Sequence, residues 1–506
     1  METKINAPLE TADLLVIGGG INGAGIARDA AGRGLNVVLC EKDDLAQHTS
    51  SASTKLIHGG LRYLEYYDFL LVRHALQERE VLLKSAPHII WPLRFILPHH
   101  SALRPRWLIR LGLFLYDHIG GRKMLPGSWS VDLRTHVSGA PLKPKFTHAF
   151  EYSDCWVQDA RLVTLNVRDA EQHGARILTR TQCTALERLQ DHWIVTLEDS
   201  RNGQISRVQA RAVVNASGPW VKQTLDLDVT THTENDVRLV KGSHVIVPRL
   251  FDHDYPYIFQ NADGRVMFAI PYEQDFTLLG TTDIEVDDDP NNVAIDEAEI
   301  TYILDAINEY FRQPVSREDV VWSYSGVRPL FDDESKNASK VTRDYVLQLD
   351  EKGPPILSVF GGKITTCRKL SEEVVDMLRQ PMGFRTPAWT ANATLPGGDI
   401  KDADFTEFRA NCRQQYSWLD EALLFDYTRN YGSDIESLLQ NCSKIDDLGK
   451  NFGGGLYERE VCYLIENEWA ETAEDILWRR SKKGLRISDK SSIDLQNYVD
   501  SQKLPS

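Results

Sequence analysis

"DLLVIGGGINGAGIARDAAGRGLNVVLCEKDD", residues 13–44, reads as strand, glycine turn, helix, strand. Leu14 to Ile17 form an apolar run of the length a buried strand needs. Gly18, Gly20 and Gly23 carry the G-x-G-x-x-G spacing, and a helix of small residues follows from about Asn22 to Arg33. Val37 to Cys40 form the second strand, which ends at Glu41. The three glycines serve a tight turn, close approach of the backbone to a pyrophosphate, and close packing of helix on strand. The helix start offers free N–H groups and the positive end of its dipole to phosphate. Glu41 stands 23 residues after Gly18, where a carboxylate accepts hydrogen bonds from an adenosine ribose. The stretch predicts an α/β fold with a Rossmann-type dinucleotide site.

Around this unit, the chain of 506 residues is too long for one core, so two or three domains are expected. An apolar content of 42% and a charged content of 26% place it among soluble globular proteins. Its formal charge of −16 argues against nucleic acid as a partner. Seven cysteines lack C-x-x-C pairing, so neither a disulfide framework nor a metal site is predicted, and a reducing compartment fits. The first residues lack a secretory signal pattern, and no window of about 18 apolar residues suggests a spanning helix.

Two later segments favour FAD over NAD. "AVVNASGPW" (212–220) is an apolar strand entering a small-residue turn at Gly218. "PILSVFGGKITTCRKL" (355–370) predicts a strand from Ile356 to Phe360, a turn at Gly361-Gly362 and a helix starting at Lys363-Ile364-Thr365-Thr366. An NAD site has no need of a glycine turn some 340 residues after the first. A flavin does, because its reduced ring gathers negative charge that a helix start or a lysine stabilises. "QHTSSASTKLIHGG" (47–60) adds short hydroxyls, among them Thr49, Ser50, Ser51, Ser53 and Thr54, suited to phosphate and ribityl oxygens. Cys183 joins the residues expected around the cofactor. In "LIHGGLRYL" (56–64), His58, Gly59, Gly60, Arg62 and Tyr63 put an imidazole and a guanidinium beside two positions without side chains.

"IGGGINGAGIARDAAGRG", "SSASTKLIHGGLRYLE", "FEYSDCWVQDARL", "NASGPWV", "LVKGSH", "LGTTD", "YSGVRPL", "TRDY" and "SVFGGKITTCRKL" occur in that order. Together they resemble the FAD-dependent glycerol-3-phosphate dehydrogenases of the aerobic, respiratory type. The resemblance runs from about residue 12 into the C-terminal region. Two positions depart from the family pattern, Ser217 in place of a common threonine and Cys367 in place of an aromatic residue. The resemblance implies a Rossmann-type FAD domain interleaved with an α+β substrate domain, then a C-terminal helical cap. On that basis the FAD domain takes 12–75, 151–225 and 351–387, and the substrate domain takes 226–350. A basic amphipathic segment takes 76–150, and the cap takes 388–506. It further implies oxidation of sn-glycerol 3-phosphate to dihydroxyacetone phosphate by hydride transfer to flavin N5, with electrons passed to membrane quinone.

The substrate is a dianion near neutral pH, so its pocket needs fixed positive charge. Arg62, Arg328, Arg343 and Lys363 are the candidates, since a guanidinium fork suits phosphate. Arg328 and Lys363 also count as catalytic, next to the developing charge. Tyr63 either bonds the substrate or packs. The C2 hydroxyl proton needs a base, for which histidine is the default. His58, beside the glycines, is preferred over His244, which starts an apolar strand. Arginine neighbours would hold the base neutral.

Residues 88–127 carry six cations against one acid, Asp117, with Trp91, Phe95, Trp107 and Phe114 between them. Such a stretch suits an anionic bilayer surface, or a core hairpin whose arginines pair elsewhere. A peripheral position on the cytoplasmic face of the inner membrane is expected, with part of the protein in the cytoplasm. "LPGGDI" (395–400) reads as a linker turn into acidic amphipathic helices, a candidate homodimer surface. No complete EF-hand spacing occurs there. A glycerol-3-phosphate oxidase that uses oxygen, or an amine or amino-acid oxidase of the same flavin class, stays open as an alternative.

Overall fold

β1 (Glu10–Ile17) runs through the glycine turn into α1 (Ile21–Gly32), and β2 (Val37–Cys40) follows. The computed structural model describes residues 9–101, 103–228, 235–261, 264–287, 289–331 and 345–502. Ala24, Ala27, Ala30 and Ala31 are buried, and their small size lets α1 lie close on the sheet. Next come α2 (Phe69–Ser85), β3 (Ile90–His99), α3 (Arg106–Ile119), β4 (His148–Val157) and α4 (Asp159–Gln172). The second half adds β5 (Gln204–Asn215), β6 (Val237–Pro248), β7 (Trp322–Phe331), β8 (Ile356–Phe360) and α5 (Cys367–Met382).

The eight-stranded sheet runs Val346–Asp350, β8, β5, β1, β2, Arg176–Leu178; Trp193–Asp199 pairs with β5, and Thr181–Arg188 pairs with Trp193–Asp199. β1 pairs in parallel with β2 and β5, and β5 pairs in parallel with β8, in the registers Ile17↔Cys40, Ile17↔Asn215 and Asn215↔Ser358. The carboxyl ends of β1, β5 and β8 therefore finish side by side, where open α/β sheets hold their ligands. The predicted Rossmann unit is present, and the distant Gly361-Gly362 turn returns to it.

A ten-stranded mixed sheet forms the second layer, in the order Ile284–Glu285, β6, Phe276–Gly280, Val266–Tyr272, Tyr257–Gln260, β3, β4, Leu56–Ile57. β7 runs antiparallel beside β6, and Trp129–Asp132 runs beside β4. The helix Glu297–Asn308 covers one face, with Ile300, Ile303 and Ile307 packed among Val245, Val247 and Phe259. Asp296 and Glu299 close a capping box at its start.

Here the structure departs from the division expected from the sequence. β3 and β4, one assigned to the basic segment and the other largely to the FAD domain, pair from Ile90↔Val157 to His99↔His148 inside the second sheet. The reason is burial: Phe95, Ile96 and Leu97 of β3 and Tyr152, Cys155 and Trp156 of β4 are core residues. Arg94 points no charge at solvent alone, since Glu151 pairs with it at 2.6 Å. What remains exposed of the basic stretch is centred on α3.

Residues 405–502 form a helical layer with its own core, which includes Leu424, Tyr427, Ile435, Leu464 and Leu495, plus a short hairpin of Asn451–Gly453 and Leu456–Tyr457. A buried ion network clamps it to the first sheet. Asp44 accepts two hydrogen bonds from Arg480, both at 2.7 Å, and one from Arg479 at 2.5 Å. The expected linker turn is tightly built in: Leu395 N donates to Ser85 O at 3.0 Å, and a Cβ on Gly397 would lie 2.2 Å from Tyr431 O. Among the described residues no helix is long and apolar enough to cross a membrane.

Candidate active site

The first glycine turn is shaped by contact. Gly18 has φ +110°, and a Cβ there would stand 2.6 Å from Ala216 O at the end of β5. Gly23 meets the Gly18 carbonyl, which a Cβ would approach to 1.9 Å, so it serves helix–strand packing as expected. The N–H of Ile21 donates to Ser50 Oγ at 2.9 Å. Glu41 accepts from Gly19 N at 2.6 Å and Asp43 N at 2.9 Å, which fixes its carboxylate at the rim, while burial pushes its pKa up. Together these surfaces enclose a cavity of about 570 Å³ lined by Gly18, Gly20, Glu41, Cys183, Gly218 and Gly362, among others. Burial pushes the Cys183 thiol up to about 12, so it faces the cavity as a neutral, weakly polar surface.

A second chamber of about 330 Å³ adjoins the first, and Ile21, Thr49, Ser50, Gly361 and Gly362 line both. His58, Arg62, Tyr63, His244, Arg328 and Lys363 all stand in its wall, drawn from segments 300 residues apart. Lys363 holds its ammonium 4.3 Å from the centre of the Tyr63 ring, buried and with no hydrogen bond among the described residues. Arg62 makes no ion pair or hydrogen bond among those residues and faces the chamber. Arg328 is held in place by Asp283 and by donation to Thr282 O at 2.9 Å, so its charge is part-neutralised.

The two histidines differ in setting. His58 is half-buried, and its backbone N–H donates to Thr365 Oγ1 at 3.3 Å. His244 is buried, stacked on Tyr324 at 4.8 Å and bonded through Nε2 to Thr54 Oγ1 at 3.0 Å. Burial first, then the charges of Arg328 and Lys55, hold the His244 pKa well below the ordinary imidazole value.

Several expected cofactor residues lie elsewhere. Gly59 does not leave room for a ring: a Cβ there would come within 2.3 Å of Leu76 and 2.6 Å of Tyr116 OH, so its smallness serves packing beneath the chamber. Gly60 does line the chamber, with φ +72° and the Tyr63 ring folded against it. Ser51 borders a neighbouring cavity, toward Trp322 and Trp478. Thr365 reaches the chamber wall, whereas Thr366 is buried at the start of α5. Arg343 lies outside the described residues.

Sequence reasoning missed the supports of this wall. Lys55 bridges both oxygens of Asp159 at 2.8 Å, and Ser53 Oγ donates to the same carboxylate at 2.8 Å, which shapes the hydroxyl-rich loop. Arg79, Tyr116 and Asp154 form a second buried cluster under Gly59. Asn22 Nδ2 donates to Gly361 O at 3.1 Å and joins the first glycine turn to the last. Asn22, Ser53, Lys55, Asp154 and Asp159 lie within quoted motifs, Arg79 and Tyr116 outside them, and only long-range pairing reveals each partner.

The donor set fits a flavin dinucleotide. Gly18 and Gly362 leave a cradle that Cβ atoms would fill, and the orphaned Lys363 ammonium in the chamber wall next to Gly362 wants an anionic neighbour. Comparison with known proteins agrees. The family model described as FAD dependent oxidoreductase matches residues 13–368, and that for the C-terminal domain of alpha-glycerophosphate oxidase matches residues 388–494. The chain is 52% identical over 496 residues to a D-erythritol 1-phosphate dehydrogenase of Brucella abortus (strain 2308), across 98% of this chain and 99% of that one. It is 52% identical over 482 residues to an aerobic glycerol-3-phosphate dehydrogenase of Escherichia coli (strain K12), across 95% of each. A solved glycerol-3-phosphate dehydrogenase from Bacillus halodurans, complexed with FAD, aligns with a TM-score of 0.76 at 25% identity, across 97% of this chain and 94% of that one.

Proposed function

The chain belongs to the FAD dependent oxidoreductase family, and from that premise we propose that it is an FAD-dependent glycerol-3-phosphate dehydrogenase, oxidising sn-glycerol 3-phosphate to dihydroxyacetone phosphate. The observation that carries this reading is the buried ammonium of Lys363, without a hydrogen bond among the described residues, in the wall of the second chamber, with Arg62 facing the same space. FAD, when bound, supplies the hydride acceptor. Arg62 grips phosphate oxygens through its guanidinium fork, and Lys363 adds a point charge. Arg328, braced on Asp283, keeps a fixed positive field at the wall. His58 takes the C2 hydroxyl proton on its imidazole. His244, kept neutral by burial, completes the wall against Thr54. The test is anaerobic mixing of the purified protein with glycerol 3-phosphate, with the visible flavin band expected to bleach. A band that stays unbleached sinks the substrate assignment.

The equal identity to a D-erythritol 1-phosphate dehydrogenase supports a second substrate reading within the same chemistry, a four-carbon polyol phosphate. Relative kcat/KM on the two compounds separates the readings.

For the electron acceptor the reading is a lipid-soluble quinone, reached from an anionic membrane surface without insertion. α3 supports it, since Trp107, Leu111 and Phe114 are exposed on one side while Leu113 and Tyr116 face the core. Tyr67 and Leu70 at the start of α2 extend the exposed apolar surface. Reduction of a short-chain quinone without peroxide release distinguishes this from an oxygen-using oxidase. A homodimer through the acidic cap helices completes the reading, and sedimentation equilibrium tests it.

A further inference from the structure

We infer that Asp154 is a specificity-determining residue, whose second carboxylate oxygen accepts a hydrogen bond from the substrate hydroxyl next to the one being oxidised. The inference rests on the polyol-phosphate reading above and deepens it.

One side of the carboxylate is fully engaged. Oδ1 accepts from Arg79 Nη1 at 2.7 Å, from Tyr116 OH at 2.7 Å and from Gly59 N at 3.3 Å. Arg79 also donates to Ser153 O at 2.6 Å, and Tyr116 OH accepts from Gly59 N at 2.7 Å. Three elements thus lock the group: α2 through Arg79, α3 through Tyr116, and the 58–60 turn through Gly59. A carboxylate held this way cannot rotate to exchange its oxygens.

The other side is different. Oδ2 makes no hydrogen bond among the described residues, and Asp154, only 3% exposed, forms part of the chamber wall together with Tyr152 and His58. An ionised carboxyl oxygen only accepts. In a cavity whose charged groups are mostly cationic, Arg62, Arg328 and Lys363 against Asp283, it matches the hydroxyl that a polyol phosphate carries beside its reacting carbon. The backbone neighbour of the proposed base, Gly59, hangs on the same carboxylate, so binding that hydroxyl registers the C2 hydroxyl against His58. A site built to bond an O–H rejects the analogue lacking it.

The experiment compares glycerol 3-phosphate with its deoxy analogue, propane-1,2-diol 1-phosphate, in the FAD-loaded wild type and in Asp154→Asn, by anaerobic flavin reduction. The wild type should favour glycerol 3-phosphate by about 100-fold in kcat/KM, the upper range for leaving one buried acceptor without its partner. Asp154→Asn, which turns an amide toward the chamber, should reduce that preference to under about 5-fold. Tyr116→Phe, which removes one donor from Oδ1 and leaves Oδ2 in place, should retain the preference even where its rates fall. An unchanged preference in Asp154→Asn overturns the inference, as does a wild type that uses both compounds equally well. The latter measurement stands even if the variant does not fold. Absence of any flavin reduction by glycerol 3-phosphate in the wild type would instead overturn the underlying reading.

Discussion

Lys363 and Tyr63 form a cation–π pair, ammonium to ring centre 4.3 Å, in the wall of the second chamber. The ring face is the only described support of that charge in the absence of a ligand. This pairing keeps a desolvated cation in place before substrate arrives, which preorganises it for negative charge.

Lys363→Met should therefore lower kcat/KM for flavin reduction by about 10²-fold, the usual scale for removing one preorganised electrostatic group. Tyr63→Phe keeps the aromatic face and should stay within about 3-fold. Stopped-flow absorbance reads both. Near-wild-type rates in Lys363→Met would remove it from the site.

Gly18→Ala forces a side chain into φ +110° and against Ala216 O. Strain of about 1–3 kcal/mol is expected at such a position, together with loss of the pyrophosphate approach. The variant should purify with little flavin and a lowered Tm. Full FAD occupancy would show that the turn tolerates a methyl group.

His88 and His244 are both buried with pKa values held well below the ordinary one, His88 by burial and then by Arg161, Arg429 and Arg168. At acid pH the unfolded chain binds protons at these rings that the folded chain refuses, so stability rises with pH there. The stabilisation is fully present above the unfolded value of about 6.5 and is lost as pH falls below it, by up to about 1.4 kcal/mol per pH unit for each ring. Denaturant titrations between pH 7 and 5 should show this slope, and His244→Asn should shrink it by about one ring's share. An unchanged slope in that variant would mean that His244 is protonated in the fold.

The exposed face of α3 gives a binding prediction. Trp107→Ser with Phe114→Ser should cut sedimentation with anionic liposomes several-fold, and Arg106→Glu should cut it further at low salt. Flavin reduction by substrate should be unaffected, since none of the three lines the chamber. Undiminished liposome binding would take α3 out of the membrane reading.

Much of the fold was legible because its signals are local. Gly18 and Gly20 sit between strand and helix and Gly23 in the first turn of that helix, all within one βαβ unit, and the "FGGKITT" turn carries its own strand and helix start. β3 and β4 were misassigned because an apolar strand looks the same whichever sheet it joins, whether inside a basic stretch as β3 is or outside it as β4 is; only the pairing partner decides. The two chamber histidines were visible as residues, but their difference in burial was not. Gly59 shows the limit most plainly. A Gly-Gly pair signals close approach, yet what approaches Gly59 is Leu76 and Tyr116, from helices that the sequence separates from it by 17 and 57 positions.

The sequence by itself determined the dinucleotide turn, the strand ends that meet there and the kinds of charged group available for a phosphate. Backbone conformation and short-range periodicity follow from neighbouring residues, so these could be read along the chain. Only the tertiary structure decided which charges stay available. Arg328 is taken up by Asp283, Lys55 by Asp159 and one oxygen of Asp154 by Arg79, while Lys363 is left beside an aromatic ring. Ion pairing depends on which distant groups burial forces together, and that is a property of the packed molecule.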